Sequence, residues 1–133
     1  HKIAIIGFTT QDTLEIALDK NLAKVDITDP ISAAKKYIPE LKKLGATLII
    51  AVTHMGHYPN GDYGTKAPGD VTLAKAVKGI DIIIGGHTQK ALKTADIVNG
   101  TRIYQAEEYG KYLGRIDLEI TKDKIEFKEY QTG

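Results

Sequence analysis

The chain is 133 residues long, the size of one ordinary domain. Its 42% hydrophobic and 26% charged residues, with 13 glycines and 4 prolines, suit a packed globule rather than a disordered, collagen-like or low-complexity chain. Eighteen basic against 17 acidic side chains leave a formal charge of +1, which removes the electrostatic argument for nucleic-acid or anionic-membrane binding.

No apolar run is long enough to span a bilayer, and the absence of cysteine excludes disulfides, thiolate metal sites and thiol catalysis. The sequence starts at His1 with neither an initiator Met nor a signal peptide, and Lys2 leads straight into an apolar run, which predicts a piece of a longer chain.

Lys2 to Phe8 reads Lys-Ile-Ala-Ile-Ile-Gly-Phe, the pattern of a strand buried on both faces, although periodicity alone leaves a buried helix open. Thr9 to Asp26 is polar and predicted to be loop-rich. Asp29 then offers an N-cap side chain and Pro30 fits the first helical position. Ile31, Ala34, Ile38 and Leu41 recur at helical spacing up to the stop at Gly45, with Pro39 inside the pattern predicting a kink or a division. Thr47 to Val52 is a second apolar strand.

A long glycine-rich loop, His57 to Ala67, precedes a second helix over roughly Gly69 to Lys78, and Ile80 to Ile84 is the next strand. Alternation of strand and helix predicts crossover connections and a largely parallel core. The last third changes character. Asn99-Gly100 is a strong hairpin signal between two short apolar runs. Ile116, Leu118 and Ile120 alternate with charged residues, and Ile125 and Phe127 continue the alternation after a turn at Thr121 to Lys124. The pattern predicts one α/β unit over 1–133, with a mixed sheet and an antiparallel C-terminal tail.

Two histidines stand at equivalent places. His54 follows the second strand in Val52-Thr53-His54-Met55-Gly56, and His87 follows the third in Gly85-Gly86-His87-Thr88-Gln89. Parallel strands put both imidazoles on one carboxyl edge, where ligand sites of open α/β sheets lie. Either each is a hydrogen-bonded loop residue or the two share a metal ion, with Gln89 offering an amide oxygen nearby. The glycines at 85 and 86 are read as a tight turn that aims the following side chains.

In the long loop, Tyr58, Asn60, Asp62 and Lys66 are candidate contacts for a polar ligand. Asp70 either caps the second helix, the preferred reading, or supports a ligating histidine. His57 is read as a solvated surface residue. Dinucleotide, phosphate-loop and nucleophile-elbow motifs are absent, and Ser32, the only serine, lies in a helix.

With Thr53-His54-Met55-Gly56-His57-Tyr58, Asn60-Gly61, Ala67-Pro68-Gly69-Asp70-Val71, Gly85-Gly86-His87-Thr88-Gln89 and Gly110-Lys111-Tyr112-Leu113-Gly114-Arg115, the sequence resembles the calcineurin-like metallophosphoesterase domain of bacterial 5′-nucleotidases and UDP-sugar hydrolases. The resemblance implies half of an αββα sandwich, namely its C-terminal part. It also implies a two-metal phosphohydrolase that releases phosphate from nucleotides, with zinc, manganese or cobalt as its divalent ions. His54 and His87 would bind one ion and Gln89 the other.

The family's Asp-x-His and Gly-Asn-His motifs do not occur in this sequence, and its Gly-Asp motif belongs upstream of the strand that opens it, so only a partial site and no catalytic residue is expected here. The separate nucleoside-binding domain does not occur either. The resemblance further implies an exported protein, whether periplasmic, at the cell surface or secreted, with a nucleotide as its partner. A divided domain would also expose an apolar sheet face through which copies could pair. The competing readings are a non-catalytic α/β module that binds a ligand or partner, and a cyclic-nucleotide phosphodiesterase of the same superfamily.

Overall fold

The computed structural model describes residues 1–60 and 67–133. The chain builds a five-stranded sheet and a separate two-stranded one. Strand β1 (Ile3–Thr9) leads through two single-turn helices, α1 (Thr13–Ile16) and α2 (Asp19–Leu22), to the long helix α3 (Pro30–Lys43). Strand β2 (Leu48–His54), helix α4 (Asp70–Ala76) and strand β3 (Ile82–Ile84) follow. The hairpin β4 (Asp96–Val98) and β5 (Thr101–Tyr104) turns at Asn99-Gly100, and β6 (Gly114–Ile120) pairs with β7 (Ile125–Thr132).

The main sheet has the order β1-β2-β3-β5-β4. Strands β1, β2, β3 and β5 run parallel, and β4 closes the edge antiparallel. The predicted α/β class, mixed sheet and antiparallel tail are therefore present. The parallel run has a functional consequence: the carboxyl ends of β1, β2 and β3 converge on one rim.

Helix α3 begins as its sequence dictates. Asp29 accepts a hydrogen bond from the Ser32 backbone N–H at 2.8 Å, and Pro30 fills the first turn. The Ser32 hydroxyl, which donates to the same carboxyl at 2.6 Å, holds it below its ordinary value, with a smaller contribution from that backbone bond. Pro39 does not divide the helix, which runs unbroken to Lys43. Its ring is on the exposed side, where water can serve the carbonyl that loses its N–H partner.

Ala34 and Ile38 of α3 and Val71, Leu73 and Ala74 of α4 close over Ile49, Ala51, Ile83 and Ile103 of the sheet, forming the main core. A second cluster joins Leu48, Ile82 and Tyr104 to Ile116, Leu118, Phe127 and Tyr130 of the β6–β7 ribbon on the other face. The alternation seen in the last third is therefore an apolar side packed on the sheet and a wet side in solvent.

One expectation fails at β1, which is not buried on both faces. Ala4, Ile6 and Phe8 pack toward the helices, while Ile3 and Ile5 on the alternate face stay exposed, Ile5 by 70%. Strand β1 is an edge strand, and the β6–β7 ribbon covers the far side of β3 and β5 instead.

Candidate metal centre

His54 is the last residue of β2, and His87 lies in the loop after β3. Their rings stand 5.2 Å apart, centroid to centroid, in an edge-on arrangement. That separation lets two imidazole nitrogens reach a common ion. His54, His87 and Gln89 line one cavity of about 480 Å³ together with Gly86, Glu107, Glu108 and Tyr109. The structure thus brings the three sequence-predicted residues onto one surface. Two imidazoles and one amide oxygen are a donor set that suits zinc, manganese or cobalt, and as a set they are incomplete. Among the described residues no group of three or more His, Cys, Asp or Glu side chains converges on a single point.

The backbone around this cavity is strained. Five non-glycine residues adopt positive φ among the described residues: His87, Gln89, Asn99, Glu107 and Tyr109. Asn99 sits in the β4–β5 turn, and the other four all line the cavity. Left-handed backbone at bulky residues costs about 1–3 kcal/mol each and persists where the surroundings enforce it.

For the loop that carries His87 and Gln89, the enforcement comes from Gln105, buried directly after β5. In the orientation that satisfies both ends of its amide, the oxygen accepts from the N–H groups of Gln89 (2.9 Å) and Lys90 (3.2 Å). The nitrogen donates to the Thr88 hydroxyl at 3.1 Å. That same hydroxyl accepts the backbone N–H of His57 at 2.9 Å.

The chain does turn tightly after the glycines at 85 and 86, the Thr88 N–H bonding back to the Gly86 carbonyl at 3.1 Å, although neither glycine adopts a positive φ. They supply space. A Cβ at 85 would lie 2.2 Å from Asp70 Oδ2, and one at 86 would lie 3.1 Å from His54 Nδ1. The backbone must pass this close for β3 to deliver His87 beside His54.

Two further expectations are corrected. His57 is buried rather than solvated, and its Nε2 lies 2.8 Å from Asp96 Oδ2 of β4. This ties the loop after β2 to the far edge of the sheet. Asp70 makes no cap bond to α4, whose N-cap is Gly69. It is fully buried, and its Oδ1 accepts the Thr53 hydroxyl at 2.6 Å, one residue before His54. Its Oδ2 has no hydrogen-bond partner among the described residues. Burial pushes the Asp70 carboxyl up to about 7, against the opposing effect of the Thr53 hydrogen bond.

Tyr58 lies at the same rim, its phenol raised by burial and by the carboxylates of Asp12 and Asp70. Asn60 is exposed, and Asp62 and Lys66 lie outside the described residues. Sequence reasoning missed Asp12, a buried acid whose Oδ2 stands 3.8 Å from His87 Nε2. Its segment carries no ligand-like spacing that could have announced it.

No family model matches the sequence. A 5′-nucleotidase of Vibrio cholerae is 45% identical over 97% of this chain and 27% of that protein. Protein UshA of Escherichia coli K12 is 39% identical over 98% of this chain and 27% of that protein. Among solved structures, the calcineurin-like phosphoesterase YfkN from Bacillus subtilis superposes with a TM-score of 0.76 at 28% identity, over 98% of this chain and 43% of that one. This chain therefore spans about a quarter of the length of the curated relatives it matches. Over almost its whole length it is homologous to one stretch of the bacterial 5′-nucleotidase and UshA proteins, and its fold is that of part of a calcineurin-like phosphoesterase.

Proposed function

We propose that these 133 residues contribute one side of the metal centre of an exported phosphohydrolase that releases phosphate from nucleotides. The observation that carries this reading is the pair His54 and His87, set 5.2 Å apart at the ends of adjacent parallel strands with Gln89 on the same cavity. The 45% identity to a 5′-nucleotidase supports the substrate class. His54 and His87 would hold one divalent ion and Gln89 a second, the remaining ligands coming from sequence beyond these residues.

When bound, two such ions neutralise phosphate charge and lower the pKa of the attacking water. The chain's own residues keep the donors in place. Strand pairing fixes His54, and Gln105 and Thr88 lock the backbone that carries His87 and Gln89. The near-neutral surface agrees with such a site, because the ions rather than lysines would supply the positive charge that phosphate seeks.

The test is His54→Ala and His87→Ala in the natural full-length protein, assayed on AMP, a UDP-sugar and a 2′,3′-cyclic nucleotide. Loss of an ion worth several kcal/mol of charge stabilisation should cut kcat on the best substrate by about 100-fold or more. Rates near wild type in both variants would overturn the reading, and turnover confined to the cyclic substrate would move it to a phosphodiesterase.

A further inference from the structure

We propose that Asp12 is a positioning residue for His87: its carboxylate engages the Nε2 side of the ring and leaves Nδ1 as the nitrogen that ligates a metal ion. This rests on reading His54 and His87 as a metal pair. Ligating imidazoles generally give their second ring N–H to a carboxylate or carbonyl, which fixes the tautomer and the ring plane. The Oδ2 of Asp12 is 3.8 Å from His87 Nε2. A movement of roughly 0.6 Å closes that gap to hydrogen-bond distance.

Asp12 is well placed for such a role. It is 4% exposed, and a buried acid of this kind is retained only where polar groups meet it. Its backbone is held from both sides. Thr10, itself buried, donates its N–H to the His54 carbonyl at 3.1 Å and accepts the Asp12 N–H on its hydroxyl at 3.1 Å. The Asp12 carbonyl accepts the N–H groups of Glu15 and Ile16 in α1. The same short segment therefore anchors to one histidine through its backbone and faces the other through its side chain. His87 meets it on a strained backbone, φ +81°, with its ring edge-on to that of His54.

The test uses the natural full-length protein with 15N-labelled histidine rings, loaded with 113Cd. Coupling of the metal to His54 and, at His87, to Nδ1, with Nε2 protonated, is the expected result. Coupling through His87 Nε2 overturns the proposal while the metal pair stands. Coupling to neither histidine overturns the metal reading, and the proposal with it.

A second measurement uses affinity. Asp12→Asn should weaken cadmium binding about 10- to 100-fold, and Asp12→Glu, which keeps the carboxylate, should lose less. Unchanged affinity in Asp12→Asn, a loss as large as that of His87→Ala, or the reverse order of the two Asp12 variants overturns it.

Discussion

The two faces of the main sheet are made of the same kind of residue and meet different fates. On one, α3 and α4 seal Ile49, Ala51, Ile83 and Ile103 from water. On the other, the β6–β7 ribbon reaches only Leu48, Ile82 and Tyr104. Ile3, Ile5, Val52 and Ile84 are left open. The strand register sets Ile5 beside Ile50, and Val52 beside Ile84, so the open residues form a band across β1, β2 and β3. Continuous apolar strands are what a parallel sheet covered on both sides requires, whereas a sheet wet on one side alternates. The composition of β1 and β2 is thus suited to two covering layers, and the described residues provide one and part of another. The rim with His54 and His87 lies where the sealed layer meets the open band.

The sharpest way to break this comparison is to truncate the sealed face. Ile83→Ala, at a position with no exposure, should cost about 2–5 kcal/mol from lost burial and the cavity left behind. Urea denaturation of the 133-residue chain measures it. A loss below about 1 kcal/mol, typical of sites that can relax or that see water, would mean that the helices do not seal this face.

A carboxyl inside the sealed layer gives the next effect. Asp70 in the folded state titrates near 7, against 3.8 as its ordinary value. The folded chain therefore holds this proton more tightly than the unfolded one. Its favourable contribution is complete below about pH 3.8 and is lost progressively as pH rises to about 7. Asp70→Asn keeps the shape and removes this slope. In metal-free protein the variant should gain up to a few kcal/mol over wild type at pH 8 and little at pH 3.5. Parallel stability curves across that range would show instead that water or a counter-charge serves Asp70 and that the layer is not dry there.

The longer of the two sealing helices, α3, depends on its first turn. Removing the cap in Asp29→Ala should cost about 1 kcal/mol, read from the same urea curves. The Asp29 carboxyl is held below 3.8 in the fold, so its contribution is present above that value and fades as pH drops through the lower one. Wild type and variant should converge in acid. A difference that persists there would assign the effect to helix propensity rather than to the cap.

What could be read from the sequence follows the range of the interactions involved. Asp29 and Pro30 act over one helical turn, and Asn99-Gly100 over one hairpin, so local spacing reveals them. His54 and His87 were legible because parallel strands carry equivalent positions to one rim. Hidden were the features that depend on what lies across space. The burial of β1 on one face only depends on where the β6–β7 ribbon docks. The pairing of buried His57 with half-buried Asp96 spans 39 residues, and the approach of Asp12 to His87 spans a still longer stretch of chain. Gly85 and Gly86 were legible as turn residues, and the Thr88 N–H bonds back to the Gly86 carbonyl there. Their neighbours Asp70 and His54, visible only in three dimensions, add a second reason, since a Cβ at either glycine would crowd them.

The open band supplies the smallest effect and the most discriminating one. Ile5 is 70% exposed and packs against no covering layer in the described residues. Ile5→Ala in the 133-residue chain should therefore change stability by no more than about 0.5 kcal/mol, the range of ordinary surface substitutions. In the natural full-length protein the same substitution should move toward the cost of Ile83→Ala, because the proposed function requires further ligands, and the sequence that brings them to the rim would have to pass beside this band. Matched urea curves on the two proteins provide the check. An equal and small cost in both would leave the band bare in the whole molecule, and the remaining ligands would then have to reach His54 and His87 from the side of the β6–β7 ribbon.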